Sequence, residues 1–524
     1  MSASDIQPAV LEGQAMSEGD ESVTYLPQVA KGAMINLSGT VVRTLLAFGY
    51  TILLARTLPV SDLGQYFLIL TIVNILGLAS TLGLDFGVVR YVALYVGEGS
   101  FQKARQTLRT ALLLGLATGI VAMGIAIIAA PSLAAHLLSE TSQSVTALRL
   151  FAISIPFWVG ARLFNATTQG MHCMHYQVFS RDLGEQLSKL VLTGIALAVG
   201  AGLAGVVMAN VASVALAMLL SMVFALIVMR PARENRAPAT SGTSREILHY
   251  SFPLAFSNIL GMVLVWIDML IMGYLGTATD VGFYGAALRV GVVSSAIFLA
   301  FTTVFTPVIS DLYNRHFSQQ LHLLYKTVSR WIFICTLPMV LLQLLFADPI
   351  MNMFGSQFAA GSKALMILAL SQLVNAASGP AGYMVLMSGR SRLELLNISV
   401  ALAINAAACF LLIPQYGVVG AALANLAASF AINLMRAAQV WFFMRMHAYN
   451  PGYLKPALAG AAAAIVADQA GGFIDASTGP AQVIALASMM LLVFLAGILL
   501  LGIDAEDKAV LLLVKARLGR NGTT

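Results

Sequence analysis

Charged residues are scarce in this chain. Asp, Glu, Lys and Arg together make up 10% of its 524 residues, whereas hydrophobic residues make up 59%. Soluble globular domains carry about 25% charged residues, so the composition excludes that class and indicates a polytopic membrane protein. The formal net charge of +6 is not concentrated in one patch, and no nucleic-acid partner is expected.

Cysteine and nucleotide-binding motifs are lacking as well. Cys173, Cys335 and Cys409 stand singly, which excludes a disulfide framework or a zinc site of paired cysteines. His172 and His175 flank Cys173, but no further ligands cluster around them. The chain has neither a Gly-x-x-x-x-Gly-Lys-Ser/Thr loop nor the spacing of a catalytic triad. We therefore expect no cofactor, no bound metal, no enzymatic activity and no transport driven by ATP hydrolysis in this chain.

Long hydrophobic runs are what the chain has instead. A helix needs roughly 20 mostly apolar residues to cross the hydrocarbon of a bilayer. Fourteen such runs lie near residues 33–55, 64–84, 110–130, 147–169, 185–201, 204–229, 252–274, 282–306, 331–347, 364–387, 395–413, 417–443, 456–474 and 481–502. The sequence therefore predicts an all-α membrane protein with about 14 transmembrane helices.

Positive charge alternates between the predicted connections. Lys and Arg recur in every second connection, whereas the others hold little more than Lys363. By the positive-inside rule the basic connections are cytoplasmic, so we expect a multi-pass protein with both termini in the cytoplasm. No predicted connection is long enough to form a soluble domain.

The chain contains an internal duplication. Residues 201–230 and 416–445 align without a gap at a shift of 215, and the pattern Asp-x-Gly-x-Tyr at residues 62–66 returns at 280–284, at a shift of 218. The residues that recur in the longer segment are Gly202, Gly205, Ala209, Asn210, Ala212, Leu219, Met229 and Arg230, which return as Gly417, Gly420, Ala424, Asn425, Ala427, Leu434, Met444 and Arg445. Because the repeat holds six predicted helices, both copies have the same orientation, as in transporters built from parallel repeats.

The duplication predicts the domain organisation. The first residues are acidic and lack the pattern of a signal peptide, so we expect a disordered tail there. The predicted units are a cytoplasmic tail at residues 1–30, a six-helix bundle at 31–230, a cytoplasmic linker at 231–246, a second six-helix bundle at 247–445, two additional helices at 446–503 and a cytoplasmic tail at 504–524.

Four ionisable side chains lie deep within predicted helices: Arg43 in helix 1, Arg162 in helix 4, Asp268 in helix 7 and Arg289 in helix 8. A charge at the bilayer centre costs about 2.5–3.5 kcal/mol, so these groups should face an aqueous interior. Asp268 and Arg289 could form a structural ion pair or act on a substrate. Arg43 and Arg162 have no carboxylate at matching depth apart from Asp85, and arginines without partners favour a phosphate-like anion. The substrate is therefore predicted to be anionic.

The deep charges differ between the two copies, because shifts of 215 to 218 place no charged residue opposite Arg43, Arg162 or Arg289. The remaining arginines in spans, Arg56 and Arg436 among them, lie nearer the ends. There a long side chain can reach the interface, and we expect these two to do so.

Two stretches resemble a known family. Residues 54–66 read Leu-Ala-Arg-Thr-Leu-Pro-Val-Ser-Asp-Leu-Gly-Gln-Tyr, and residues 82–91 read Leu-Gly-Leu-Asp-Phe-Gly-Val-Val-Arg-Tyr. Together they resemble the amino-terminal signature of bacterial polysaccharide flippases, which belong to the multidrug/oligosaccharidyl-lipid/polysaccharide exporter superfamily. The resemblance covers helices 1 to 12 in layout.

The resemblance implies two six-helix bundles arranged as a V around a central cationic cavity. It also implies that an oligosaccharide carried on undecaprenyl diphosphate, the repeat unit of an O-antigen or exopolysaccharide, is moved from the cytoplasmic to the periplasmic leaflet of the bacterial inner membrane. Candidate partners are membrane lipid, a polysaccharide polymerase, chain-length proteins and a coupling ion, H+ or Na+. Asp268 is the one deep carboxylate that we nominate for coupling.

Three alternatives remain. A multidrug or cation antiporter of the same superfamily should favour carboxylates in its cavity, whereas arginine predominates here. A lipid II flippase would also carry a diphosphate. A membrane glycosyl polymerase or ligase is the enzyme alternative, and the short connections and the internal repeat argue against it.

Overall fold

The computed structural model describes residues 26–137, 142–171, 173–229, 243–471 and 480–502. Within these ranges the regular secondary structure consists of helices alone. Most of the two predicted tails, most of the predicted linker and His172 lie outside the described residues.

Fourteen principal helices follow the fourteen predicted spans, and four of them are interrupted. They are α1 (Leu26–Thr57), α2a (Val60–Ser80) and α2b (Leu84–Gly97), α3 (Phe101–Leu137), α4a (Ser142–Ala152) and α4b (Ser154–Gly170), α5 (Gln186–Ala198), α6 (Gly202–Val228), α7 (Thr243–Leu275), α8a (Ala278–Val293) and α8b (Ser295–Asn314), α9 (Ser318–Leu345), α10a (Ser362–Ser378) and α10b (Ala381–Met387), α11 (Ser391–Tyr416), α12 (Val418–Met444), α13 (Leu454–Gly471) and α14 (Pro480–Leu501). By length and composition, ten helical segments in the described residues can cross a membrane, and α14 contains a shorter apolar stretch. The prediction of an all-α membrane protein is confirmed.

The pattern Asp-x-Gly-x-Tyr begins the second helix of each repeat. α2a starts directly after Pro59, which lacks the amide hydrogen needed to continue a preceding helix. At the equivalent point before α8a, the Thr277 hydroxyl accepts a hydrogen bond from the Asp280 amide at 3.2 Å. The Asp280 carboxylate accepts one from the Thr277 amide at 3.0 Å, which completes a capping box. The recurring motif therefore marks a helix N-terminus.

The two repeats meet where α2a crosses α8a, at the glycines of this motif. A Cβ atom on Gly64 would lie 1.8 Å from the carbonyl oxygen of Ala278, and one on Gly282 would lie 2.5 Å from that of Val60. Val60 and Ala278 are themselves related by the shift of 218. The crossing therefore lies on the pseudo-twofold axis of the duplication, and only glycine permits so close an approach.

Both crossing helices are interrupted beyond this contact. α2 breaks at residues 81–83, where Leu82 and Gly83 have positive φ angles of 48° and 68°, and α8 breaks at Ser294. After the breaks, α2b packs against α7 and α8b packs against α1. Each repeat thus contributes one interrupted helix that joins it to the other repeat.

Equivalent helices pack in equivalent ways within the two repeats. α4b packs on α6 as α10a packs on α12, and α1 packs beside α5 as α7 packs beside α11. The largest buried cluster lies where the repeats meet and includes Tyr66, Phe67 and Tyr284. α13 and α14 pack on each other, and α13 packs against α9.

We predict that Gly64→Ala and Gly282→Ala each lower the thermal unfolding temperature of the detergent-purified protein. An added methyl group would force backbone apart at the crossing, and overpacking of this kind costs about 1–3 kcal/mol. Gly124→Ala is the matched control, because a Cβ at Gly124 meets no atom within 4 Å. Equal unfolding temperatures for Gly64→Ala and Gly124→Ala would contradict the tight crossing.

Candidate functional site

Arg43 on α1 faces a carboxylate that the sequence interpretation had placed in a loop. Its Nε atom lies 3.4 Å from Oδ1 of Asp182, and the side chains are 35% and 4% exposed, respectively. Asp182 belongs to a π-helical segment, Val178–Glu185, that leads directly into α5 and packs against α1. A π-helical turn changes the direction of the side chains that follow, and it brings Asp182 to α1.

Arg162 on α4b also has a partner. Its Nε atom donates a hydrogen bond of 2.8 Å to Oδ2 of Asp85 at the start of α2b. Its guanidinium carbon lies 5.1 Å from the centre of the Trp158 ring. The expectation that Arg43 lacks an acidic partner is therefore wrong, whereas Arg162 meets Asp85, the one carboxylate noted from the sequence. Each is paired, although both side chains keep some exposure.

Three further charged residues lie near these two ion pairs. The sequence interpretation did not include them among the candidate site residues. Arg181, Glu185 and Lys189 are spaced four residues apart, which places them along one face of a helix. Arg181 lies within electrostatic range of Arg43, Arg162, Asp182 and Glu185, and its side chain is exposed. Seven residues thus form what we call the charged cluster of the first repeat: Arg43, Asp85, Arg162, Arg181, Asp182, Glu185 and Lys189. It contains four basic and three acidic groups.

Arg289 lies between the repeats. Its guanidinium carbon is 4.2 Å from the centre of the Phe67 ring on α2a, and the hydroxyls of Tyr50 and Tyr66 are its electrostatic neighbours. Lys189 lies near the same tyrosines, and its ammonium is 4.6 Å from the centre of the Tyr50 ring. Arg289 therefore extends the basic groups of the cluster toward the second repeat.

Asp268 on α7 is fully buried and makes no ion pair with Arg289. Its carboxylate accepts hydrogen bonds from the Tyr284 hydroxyl, from the Asn425 amide at 2.9 Å and from the Met269 backbone amide at 2.8 Å. Among the described residues, no basic side chain lies within 4 Å of it. The alternative of a structural Asp268–Arg289 pair is therefore excluded by the geometry.

The first repeat contains an equivalent of the Asp268 site. At shifts of 218 and 215, Asp268, Tyr284 and Asn425 correspond to Tyr50, Tyr66 and Asn210. These three also contact one another, because the Tyr66 hydroxyl accepts hydrogen bonds from the Asn210 amide at 3.0 Å and from the Tyr50 hydroxyl at 3.3 Å. The tyrosine–asparagine arrangement is thus duplicated. Only the second copy holds a carboxylate.

Two arginines that we expected at the interface make contacts within the protein. Arg436 on α12 forms an ion pair with Glu394 on α11, which corrects the expectation for this residue. The Nε atom of Arg56 donates a 2.8 Å hydrogen bond to the Met353 carbonyl oxygen, which links the end of α1 to the second repeat. Across the described ranges, no group of three or more His, Cys, Asp or Glu side chains could hold a metal ion.

The fold defines the class of protein. It matches a structure of the lipid II flippase MurJ in an inward closed conformation with a TM-score of 0.72 and 15% identity, over 88% of this chain and 98% of that one. It also matches an inward-facing multidrug resistance MATE family transporter of the MOP superfamily, with a TM-score of 0.66 and 16% identity over 79% of this chain and 98% of that one. The chain is a multi-pass membrane protein with the fold of these transporters.

Sequence comparison identifies the family. The family model described as polysaccharide biosynthesis protein matches residues 29–313, and the MatE model matches residues 253–411. The chain therefore belongs to the polysaccharide biosynthesis protein family. The resemblance seen in residues 54–66 and 82–91 is confirmed.

Two curated relatives are archaeal. The probable low-salt glycan biosynthesis flippase Agl15 of Haloferax volcanii is 28% identical over 191 residues, which make up 36% of this chain and 40% of Agl15. The match thus spans less than half of that relative. The uncharacterized membrane protein MJ1068 of Methanocaldococcus jannaschii is 20% identical over 440 residues, or 81% of this chain and 85% of MJ1068.

We predict that Arg162→Ala alone destabilises the protein, because it leaves the Asp85 carboxylate buried without its counter-charge. Breaking a buried pair on one side costs about 3–5 kcal/mol, whereas removing both partners is much less harmful. The Asp85→Ala/Arg162→Ala double variant should recover most of the lost thermal stability.

The exposed pair Arg315–Asp311, at 2.7 Å, supplies the control. Its single and double variants should differ little, since exposed pairs contribute about 0–1 kcal/mol. Additive losses for Asp85→Ala and Arg162→Ala, measured by thermal unfolding, would argue against a buried pair.

Proposed function

We propose that this protein translocates an undecaprenyl-diphosphate-linked oligosaccharide, the repeat unit of an O-antigen or exopolysaccharide, across the bacterial inner membrane. The movement is from the cytoplasmic to the periplasmic leaflet by alternating access. The observation that carries the proposal is the charged cluster of the first repeat, found inside a membrane protein of the polysaccharide biosynthesis family.

The charge balance of this cluster favours an anion. Its four basic groups exceed its three carboxylates, and Arg289 adds a further positive charge without a carboxylate partner in the described residues. Guanidinium groups bind phosphate oxygens in a bidentate manner. A diphosphate would therefore compensate the excess charge, whereas a cationic drug would add to it. This argument favours the flippase over a multidrug antiporter.

The ion pairs of the cluster explain how such a site can stay in the membrane between transport cycles. Arg43–Asp182 and Arg162–Asp85 compensate the arginines when no anion is bound. The Arg43–Asp182 contact is long at 3.4 Å, and the Nε atom of Arg43 makes no hydrogen bond among the described residues. An arriving phosphate can thus displace this carboxylate at a lower cost than it would at Asp85.

Alternating access fits the way the repeats are joined. They meet through the glycine crossing of α2a and α8a, and both helices are interrupted beyond it. Rocking of one repeat against the other about this crossing would expose the charged cluster first to one leaflet and then to the other.

Asp268 is our candidate for ion coupling. A buried carboxylate with tyrosine and asparagine partners, but no basic partner, is costly to keep charged, so it favours uptake of H+ or Na+. Its equivalent in the first repeat is the neutral Tyr50. Coupling is thus assigned to the second repeat and anion binding to the first.

The decisive experiment is a deletion strain, in which a completed lipid-linked repeat unit should accumulate on the cytoplasmic face. In that strain, Arg43→Ala and Arg181→Ala should reduce surface polysaccharide at least about tenfold, since a hydrogen bond to a charged group contributes about 1.5–3 kcal/mol. Arg315→Ala, at an exposed pair, is the control and should restore export fully. Unchanged glycolipids together with raised drug sensitivity would instead indicate an antiporter, and lost peptidoglycan precursor transport would indicate a lipid II flippase.

We further predict that Asp268→Asn reduces the response of transport to an imposed H+ or Na+ gradient by about tenfold. The free energy that corresponds to this change lies within the usual range for coupling between two sites. Asparagine keeps the size of the side chain and can still bond with Tyr284 and Asn425, so folding should persist. The measurement is uptake into proteoliposomes with and without each gradient, and Asp311→Asn at the surface is the control. A gradient response like that of the unchanged protein would remove Asp268 from the coupling mechanism.

A further inference from the structure

α12 carries a polar face of which the functions above use only the first residue, Asn425. Asn425, Ser429, Asn433, Arg436 and Gln439 follow one another at spacings of three and four residues, and so lie along one side of the helix. The first of them bonds with Asp268. The others extend from there toward Met444, the end of α12 that is predicted to be cytoplasmic.

Amide side chains on three helices meet along this face. The Asn433 amide on α12 donates to the Asn375 carbonyl on α10a, and the Asn375 amide donates to Gln372 at 3.4 Å. Gln439 on α12 and Asn397 on α11 exchange two hydrogen bonds, of 2.7 and 2.9 Å. We call these five residues the amide stripe. Each amide both donates and accepts, as a sugar hydroxyl does.

An ion pair lies within the stripe. Arg436 and Glu394 are in direct contact, with a second hydrogen bond from Arg436 Nε to Glu394 Oε2 at 3.2 Å. The guanidinium packs where α10b has Gly382, since a Cβ there would lie 2.9 Å from Arg436 Nε. One positive and one negative group leave the stripe neutral. Its chemistry therefore differs from that of the first repeat, where basic groups are in excess.

The fold does not require amides at this place. At the shift of 215, Asn375 and Asn433 correspond to Gly160 and Met218. Those two residues make the equivalent contact in the first repeat, where a Cβ on Gly160 would meet Met218 Sδ at 2.8 Å. The same helix crossing is thus apolar in one repeat and hydrogen-bonded in the other, so the amides serve something beyond helix packing.

Three of the five stripe residues are partly exposed, whereas Asn397 and Asn433 are buried. Gln372, Asn375 and Gln439 are half-buried, and the Arg436 and Glu394 side chains are 22% and 13% exposed. Amides and charges exposed to lipid would be costly, so this face borders a water-filled interior.

An aromatic pair lies on α8b and α10b, and α10b packs against α12. Tyr383, next to Gly382 on α10b, and Phe298 on α8b have ring centres 6.4 Å apart, and both are half-buried. Few polar groups on an apolar and aromatic background are typical of sites for small organic ligands. Neutral amides beside aromatic rings suit a ligand with many hydroxyl groups and little charge.

We propose that the amide stripe, with the Arg436–Glu394 pair, binds the sugar portion of the transported lipid. This inference rests on the proposed function and divides the substrate between the repeats. The diphosphate occupies the charged cluster of the first repeat, and the glycan occupies the stripe of the second. Side chains of α10a, α11 and α12 thus recognise the length and the hydroxyl pattern of the glycan.

The test compares two donors in proteoliposomes that contain the purified full-length protein. One donor is undecaprenyl diphosphate carrying a single sugar, and the other carries the complete repeat unit extracted from the deletion strain. Translocation is scored by oxidation of the sugar with membrane-impermeant periodate. The variant is Asn375→Leu/Asn433→Leu, which replaces both partners of the Asn433–Asn375 hydrogen bond and leaves only the half-buried Gln372 without its contact to Asn375. Asn314→Leu, at an exposed site, is the control.

The stripe variant should transport the complete repeat unit about tenfold more slowly, or slower still. Sites that form hydrogen bonds with substrate hydroxyl groups discriminate strongly between substrates. Its rate with the single-sugar donor should stay within about twofold of the unchanged protein. Arg43→Ala should slow both donors alike. Asn375→Gly/Asn433→Met is a second variant, in which both positions carry the residues of the first repeat. Glycine and methionine already make the equivalent helix contact there, between Gly160 and Met218.

The other outcomes are distinguishable. If the unchanged protein moves both donors and the stripe variants slow both equally or neither, the sugar site is wrong and the flippase proposal stands. If the unchanged protein moves neither donor, the flippase proposal fails and the sugar site fails with it.

Discussion

A charged group inside the hydrocarbon must meet an opposite charge or face water, and the arrangement of this protein depends on that constraint. Arg43 and Arg162 each meet a carboxylate from another helix of the first repeat. Those ion pairs hold α1 to the segment before α5, and α4b to α2b. Since the basic groups still outnumber the acidic ones, the remaining charge has to be hydrated or compensated by a ligand. The packing of these helices and the proposed preference for an anionic substrate thus follow from one electrostatic balance.

The duplication accounts for the shared scaffold, and sequence divergence between the two copies accounts for their different chemistry. The glycine crossing of α2a and α8a occurs in both repeats, and so does a hydrogen-bonded set of a tyrosine, an asparagine and a third residue. Tyr50 and Asn210 donate to Tyr66 in the first repeat, and Tyr284 and Asn425 donate to Asp268 in the second. What differs is the third residue, which is Tyr50 in one copy and Asp268 in the other. A single position changed from hydroxyl to carboxylate gives two related sites of different charge.

The sequence was sufficient for the helix count and the duplication, because each depends on composition and period along the chain. It was insufficient for the partner of Arg43, whereas Asp85, the partner of Arg162, was noted as a carboxylate at matching depth. The π-helical turn that presents Asp182 leaves no clear signal in residue order. Arg181, Glu185 and Lys189 did carry one, a spacing of four residues, but Arg181 falls between the predicted spans 147–169 and 185–201. The pairing of Arg436 with Glu394 needed the packing of α11 on α12.

The asymmetry between repeats has a mechanical consequence. If the first repeat holds a fixed anionic group and the second holds a variable glycan, the substrate itself bridges the two halves that must rock against each other. Both ends are then bound only when the halves lie at the correct separation, so binding energy can be used to favour one arrangement over the other. A lipid-linked glycan of the wrong length would not contact both repeats at once. Selectivity and conformational change would then arise from the same contacts, on a scaffold whose two halves began as copies.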